Sequence, residues 1–279
     1  MPTTYTHYAF GAAVRDALPK ELQACVDANR DVYDFGVHGP DLLFYYHPLK
    51  ANEVNRQGVA MHGQPGRTFF TKAKTILANT PDPTQKQARL AYILGFYTHF
   101  LLDATCHTFV EAHVLRAGVS HNRIEAEYDA HLLRRAGEQP TAVDRSLLLS
   151  PGKKTAESIA PFFGLTNEVM EEVLTSQKRA LHVFYSPSGM KRGIIRGLVQ
   201  LLHVKGNFGD LFLENEEDPR CRASNARLDV LREEALTRAK TFLPDFLEFL
   251  QDDGKLDDFF DRHFEAVRTE SGALNLDYA

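Results

Sequence analysis

Residues 84–115, TQKQARLAYILGFYTHFLLDATCHTFVEAHVL, carry the strongest helical pattern in the 279-residue sequence. Apolar side chains recur along this stretch at the spacing of one helix face, which predicts a buried stripe. The stripe consists of Leu90, Leu94, Tyr97, Leu101 and Leu102. Gly118 then ends the pattern, and Ser120 is a suitable N-cap for a further helix that we predict to reach Ala136.

Helical periodicity also dominates on both sides of this stretch. We predict helices at 4–17, 67–79, 153–162, 167–185, 189–204, 225–251 and 255–267. The segments between them predict a short helix with tight turns at 31–48, a loop at 137–152 and an acidic surface loop at 214–219. No run of β-branched residues alternates for long enough to predict a sheet. The sequence therefore predicts an all-α fold, with a single multi-helix domain over 1–279, a half at about 1–136 that holds most of the histidines and a helical remainder at 137–279.

The composition sets limits on the class of protein. A hydrophobic content of 43% and a charged content of 25% are typical of a globular chain. The net charge of −5 disfavours a nucleic-acid binder that neutralises phosphates, although bound cations would still allow a nuclease. The three cysteines are widely spaced and predict no disulfide framework. Without a signal-peptide pattern or an 18-residue apolar run, we expect a cytoplasmic protein with no transmembrane segment, unless a leader has been removed.

The polar residues of the long helix point to a metal. His99, Asp103 and His107 are spaced i, i+4, i+8, so they share one helix face beside the apolar stripe. A single buried histidine is usually a satisfied core residue. Three ligand-type side chains in one row need a common partner inside a core, and a divalent cation in a cleft between helices would supply it.

The next predicted helix repeats the pattern with His121 and Glu125, again at i, i+4. Alone, such a pair is more often a surface hydrogen bond. Beside the preceding helix it predicts a two-helix metal site, as in carboxylate–histidine bundles. Nitrogen and carboxylate ligands without thiolate favour zinc, with iron or manganese as alternatives.

The order of these residues resembles the zinc-dependent phospholipase C family of bacteria, which is related in fold to fungal single-strand-specific nucleases. The resemblance covers about residues 5–131. It rests on His7, the triplet GPD ending in Asp41, His62, the series His99–Asp103–His107 and the pair His121–Glu125.

The resemblance implies an all-helical fold with up to three metal ions in a cleft. One ion would be held by Asp41, His62, His99 and Asp103, a second by His107, His121 and Glu125, and a third by His7 with Asp103 as a bridge. In the secreted members a processed N-terminal tryptophan also binds the third metal, but this sequence has no tryptophan. We therefore expect two or three zinc ions, with two as the central prediction. The spacing from Asp103 to His107 is shorter than in the secreted members. We therefore expect His107 to reach the metal site from a different helical turn.

Other polar residues have weaker assignments. His38 and His47 flank GPD and are candidates for contacts behind the metal ligands or with substrate, and Asp129 is a candidate for orienting a ligand imidazole. The remaining histidines are predicted to be structural or solvated: His113, His131, His182, His203 and His263. The basic segment 191–196 is predicted to be a solvated helix face.

These residues together predict a metal-dependent phosphoester hydrolase that acts through a metal-activated water, with Asp41 as the proton acceptor. The expected substrate is a small phosphoester or a phospholipid head group, while nucleic acid is possible but not favoured. The alternative is a non-catalytic metal-binding protein of the same fold. An HD-type phosphohydrolase and a zinc peptidase are disfavoured because neither an HD dipeptide nor HExxH occurs. The sequence does not indicate the oligomeric state.

Overall fold

The computed structural model describes residues 4–185, 187–201, 208–251, 254–269 and 272–275. Throughout these ranges the regular secondary structure is helical, and no strand is formed, which confirms the predicted all-α class. The α-helices are α1 (Thr4–Ala17), α2 (Lys20–Ala28), α3 (Arg30–Gly36), α4 (Glu53–His62), α5 (Gly66–Ala78), α6 (Pro83–Ala117), α7 (His121–Arg135), α8 (Lys153–Phe163), α9 (Asn167–Phe184), α10 (Gly189–Leu201) and α11 (Arg222–Gln251). Short 3₁₀ helices occupy Gly39–Tyr45, Pro140–Ala142, Arg145–Leu148, Phe208–Leu211, Pro219–Cys221 and Asp258–Asp261.

Helix α6 is the centre around which the other helices pack. The Asp82 side chain caps its N-terminus by accepting a hydrogen bond from the Thr84 amide. The helix ends at Gly118, which adopts the left-handed conformation. Every residue from 91 to 106 is buried, so this helix is covered on all sides rather than along one stripe. Polar side chains in this stretch are consequently enclosed by protein.

Two glycines allow α3 to approach α6 until the backbones touch. A Cβ atom added at Gly95 would lie 2.5 Å from the carbonyl oxygen of Tyr33, and one added at Gly36 would lie 2.6 Å from that of Tyr92. The chain leaves α3 directly above α6 and turns at Gly39, where φ is +51°. A Cβ at Gly39 would lie 2.2 Å from the His99 ring. This close approach brings the GPD triplet against the polar face of α6.

The predicted helix at 255–267 is wrong. Only Asp258–Asp261 forms a helical turn, and residues 262–269 contain only bends and isolated β-bridges at His263 and Arg268. Its apolar residues mimic a helix face, but its backbone is hydrogen-bonded to other elements: the carbonyl of Arg262 accepts from the Gly66 amide, and the amide of Val267 donates to Thr108. These contacts replace the bonds that a helix would form within itself.

The other sequence predictions differ less. Helices α2 and α4 were not anticipated, because their apolar periodicity is weak: Val26 is the one buried residue of α2. The helix predicted at 189–204 is described up to Leu201, and its last predicted positions, with His203, lie outside the described residues. In the ranges that the structure describes, no helix has both the length and the apolar character needed to cross a bilayer.

The contact of α3 with α6 predicts a large effect for a very small substitution. Gly95→Ala forces a methyl group against a backbone carbonyl that cannot move alone, and we expect a loss of about 1–3 kcal/mol in the free energy of unfolding. The measurement is urea denaturation followed by circular dichroism. Gly193→Ala is the matched control, because this glycine of α10 faces open space and alanine there should stabilise the helix by about 0.5–1 kcal/mol. A Gly95→Ala midpoint equal to that of the wild type would contradict the backbone contact.

Candidate metal centre

Helices α1, α4, α6 and α7 and the 3₁₀ helix at Gly39–Tyr45 deliver the predicted ligand residues to one region. Six of them border a cavity of about 340 Å³, which is lined by Asp41, Phe44, Val59, His62, Asp103, His107, Glu111, His121, Glu125, Glu265, Ala266 and Arg268. His7 and His99 do not line this cavity. They lie behind its carboxylates, with side chains 5% and 0% exposed.

The first group of side chains is formed by His7, Asp41, His99 and Asp103, which offer ligand atoms within 4.8 Å of one another. His7 Nε2 lies 3.2 Å from Asp103 Oδ1, and His99 Nε2 lies 3.1 Å from Asp103 Oδ2 and 3.6 Å from Asp41 Oδ2. The rings of His7 and His99 stack with centroids 4.5 Å apart. Two imidazoles and two carboxylates therefore face a common point.

His62 adjoins this group through Asp41. Its Nε2 lies 2.8 Å from Asp41 Oδ1, and its Nδ1 donates a hydrogen bond of 2.7 Å to the carbonyl of Gly58. Because Nδ1 carries the proton for that carbonyl, Nε2 of the neutral ring would present a lone pair to a carboxylate. A proton or a cation must separate these two atoms, and here the hydrogen bond to Asp41 overcomes burial and raises the pKa of His62 to about 9.

The second group is His107, His121 and Glu125, whose ligand atoms also lie within 4.8 Å of one another. Glu125 Oε1 lies 2.9 Å from His121 Nε2 and 3.4 Å from His107 Nε2. His107 Nε2 is 3.8 Å from Asp103 Oδ1, so Asp103 lies between the two groups. The eight residues that the sequence predicted as ligands are thus brought together.

The electrostatics of the cluster favour ionised carboxylates. Burial alone would raise the pKa of Asp103, but the surrounding imidazoles, that of His107 foremost, hold it well below its usual range. Burial likewise opposes ionisation of Glu125, and His121 outweighs it, so the pKa of Glu125 is lowered. The pKa of His121 is raised to about 10, because Glu125 and Glu111 outweigh the effect of burial. The protons on these imidazoles thus occupy positions that a metal cation can take, and binding of the cation would release them.

Several of these polar atoms are unsatisfied within the part of the chain that the structure describes. Neither ring nitrogen of His99 forms a hydrogen bond of suitable geometry, although Nε2 lies 3.1 Å from Asp103 Oδ2. Asp41 Oδ2, Glu125 Oε2 and His7 Nδ1 also lack a described hydrogen-bond partner. A buried polar atom without a partner costs free energy. Imidazole nitrogens and carboxylate oxygens without thiolate form the donor set that zinc accepts. The residues present therefore fit the metal that the sequence indicates.

The weaker assignments have mixed outcomes. His38 is buried beside the first group with no described partner for either ring nitrogen, and burial, aided by His7, lowers its pKa to about 3. His47 is exposed and packs against Tyr46 outside the cavity. Asp129 differs from the prediction, because among the described residues its hydrogen bonds are to backbone amides, Thr6 and Arg145 and none is to an imidazole. It accepts hydrogen bonds from the Tyr5 and Thr6 amides and so holds the first turn of α1, which carries His7.

The remaining histidines lie away from both groups. His131 faces Asp229, His182 faces Asp144, and His263 is exposed beside Pro65. His113 packs against Phe109 on α6. His203 lies outside the described residues.

Two residues of the site were missed by the sequence analysis. Glu111 accepts a hydrogen bond of 2.7 Å from His121 Nδ1, and the carbonyl of Phe264 accepts one of 2.6 Å from His107 Nδ1. Glu111 continues the i, i+4 series of α6 one turn beyond His107, so its spacing could have indicated it. Phe264 contributes a backbone atom from a distant segment, and no side-chain pattern indicates that.

One of three comparisons with known proteins gave a match, and it agrees with this geometry. The family described as zinc dependent phospholipase C matches residues 6–172, which include all eight predicted ligands and more than half of the chain. Comparison with curated proteins and with solved structures gave no match. On the family match, this chain belongs to the zinc-dependent phospholipase C family.

Proposed function

We propose that this protein is a zinc-dependent phosphoester hydrolase of the phospholipase C type. The observation that carries the proposal is His99, fully buried between Asp41 and Asp103 with neither ring nitrogen hydrogen-bonded to a described residue. A core histidine in a purely structural role would find a protein partner. Membership of the family supports zinc as the partner and hydrolysis as the reaction class.

The proposed ligands divide between two groups that share Asp103. His7, Asp41, His62, His99 and Asp103 would serve one or two ions, and His107, His121 and Glu125 another. When bound, zinc ions lower the pKa of a water molecule toward neutrality and neutralise the oxygens of a phosphoryl group. The iron and manganese alternatives remain compatible with the same donors.

Asp41 is the proposed proton acceptor. Its carboxylate lines the cavity, and its Oδ1 is held by His62 while its Oδ2 has no described hydrogen-bond partner. Because His62 fixes the carboxylate through Oδ1, Oδ2 is available to take a proton from an attacking water. The pKa of Asp41 is lowered by His99 and His62 in spite of burial, so the carboxylate is ionised and can accept that proton.

The size of the cavity favours a small reacting group. A volume of about 340 Å³ lies near the lower end of the range for small-molecule sites. It suits a phosphoryl group with its immediate substituent, such as a phospholipid head group or a soluble phosphoester. The net charge of −5 gives no support to a nucleic-acid substrate.

Metal content gives the most direct prediction. Protein purified without chelators or a histidine tag should contain two or three zinc ions per chain by elemental analysis. Asp103→Asn should lose most of this zinc, because Asp103 contacts imidazoles of both groups. His182→Gln, which changes a largely exposed histidine, is the control and should keep the wild-type content. An Asp103→Asn protein with full zinc content would contradict the shared ligand.

Catalysis gives a second prediction. Asp41→Asn should lower kcat for a chromogenic phosphodiester by about 10²–10⁴-fold, the usual contribution of a positioned acid–base group. Zinc content, measured in the same samples, separates loss of the proton acceptor from loss of metal. His47→Gln is the control, because it lies on the same segment but outside the cavity. A wild-type protein with full zinc and no activity on phosphomonoesters or phosphodiesters would instead support the metal-binding alternative.

A further inference from the structure

The C-terminal segment 262–268 covers one side of the metal cavity, although it lies outside the residues that the family match includes. Two backbone contacts fix it. The Gly66 amide donates to the carbonyl of Arg262 over 3.0 Å, and the amide of Val267 donates to Thr108 Oγ1 over 2.9 Å. Gly66 opens α5 and Thr108 lies on α6 beside His107. The segment is therefore held against the ligand-bearing part of the fold.

Phe264 lies closest to the ligand residues. Its ring centroid is 5.7 Å from that of His62 and 5.9 Å from that of His99, and its carbonyl accepts the hydrogen bond from His107. Phe264 itself is 1% exposed. Because Phe264 is fixed at this depth, the residues that follow it form a wall of the cavity.

Arg268 is the one lysine or arginine among the residues described as lining the cavity. Its Nη1 donates a hydrogen bond of 3.1 Å to the carbonyl of Gly272. Two backbone hydrogen bonds, from the Thr269 amide to Ala273 and from the Asn275 amide to Val267, join residues 272–275 to residues 267–269. A guanidinium has five N–H donors, so a group oriented by the hydrogen bond to Gly272 can still present other donors to a ligand.

The neighbouring charges do not neutralise Arg268 directly. Glu111 lines the same cavity but accepts a hydrogen bond from His121. Glu265 is exposed on the same segment, and among the described residues no salt bridge joins it to Arg268. The planar donor fork of arginine matches the oxygens of a phosphate group, which lysine cannot do in the same way.

We propose that Arg268 binds an anionic oxygen of the substrate and makes the site select esters with a doubly charged phosphate over those with a zwitterionic head group. The selectivity has two parts. The guanidinium attracts the additional negative charge of a phosphomonoester, and it repels a quaternary ammonium placed at the same wall. This inference rests on the proposed function for its substrate, but the anion site itself is independent of turnover.

The first test is the binding of inorganic phosphate to the zinc-loaded full chain, measured by isothermal titration calorimetry. Arg268→Gln should weaken binding by about 10–100-fold, the effect of losing a hydrogen bond to a charged group. Arg262→Gln makes the same charge change on the same segment, outside the lining of the cavity, and should alter Kd by no more than about twofold. Unchanged binding by Arg268→Gln, or no phosphate binding by the wild type, would overturn the proposal.

The second test compares p-nitrophenyl phosphate with p-nitrophenylphosphorylcholine. Arg268→Gln should raise KM for the monoester by about 10–100-fold with little change in kcat, and it should leave or lower KM for the choline ester. Arg268→Lys, which keeps the charge without the fork, should recover part of the loss. An equal rise in KM for both esters would contradict the assignment. If neither ester is hydrolysed while phosphate binding still depends on Arg268, the proposed function fails and the anion site stands.

Discussion

A buried set of carboxylates and imidazoles with too few protein partners is the constraint on which this structure depends. Asp41, Asp103 and Glu125 are each at most 9% exposed, and His99 is fully enclosed. In such surroundings an unpaired charge is far more costly than in water. The imidazoles hold the carboxylates ionised, and the orphaned nitrogens of His99 show that the imidazoles and carboxylates do not satisfy one another completely. A cation bound among them would neutralise the buried carboxylates and would give the unsatisfied nitrogens a partner. The cluster therefore has the character of a metal centre and not of a hydrogen-bonded core.

The packing of the helices follows from this constraint. The polar side chains of α6 are enclosed because neighbouring helices cover α6 on every side. At Gly36 and Gly95 the backbones of α3 and α6 are in direct contact. The same contact sets the position of Gly39, which has space for no side chain because the His99 ring lies against it. Asp129 holds the start of α1 through two amides and thereby fixes the helix that carries His7. Residues outside the proposed ligand set thus determine the positions of the candidate ligands.

The sequence revealed those parts of the site that repeat along one element. His99, Asp103 and His107 were visible because a helix places every fourth residue on one face, and His121 and Glu125 follow the same rule. The segment at 255–267 could not be predicted in this way. Its phenylalanines have helical spacing, yet the backbone bonds of Arg262 and Val267 to distant residues outweigh that local preference. Tertiary contacts of this kind leave no periodic signal in a single sequence.

The hydrogen bonds that the imidazoles donate away from the cavity differ in the charge of their acceptors. His62 and His107 each donate Nδ1 to a neutral backbone carbonyl, whereas His121 donates to the carboxylate of Glu111. A carboxylate partner makes the opposite ring nitrogen a stronger donor to a metal than a carbonyl partner does. The second group therefore offers the more basic nitrogen in His121, while the first group offers two carboxylates in Asp41 and Asp103. Because Asp103 adjoins both groups, a change in the charge held by one group alters the field at the other, and cations bound in the two groups would influence each other electrostatically.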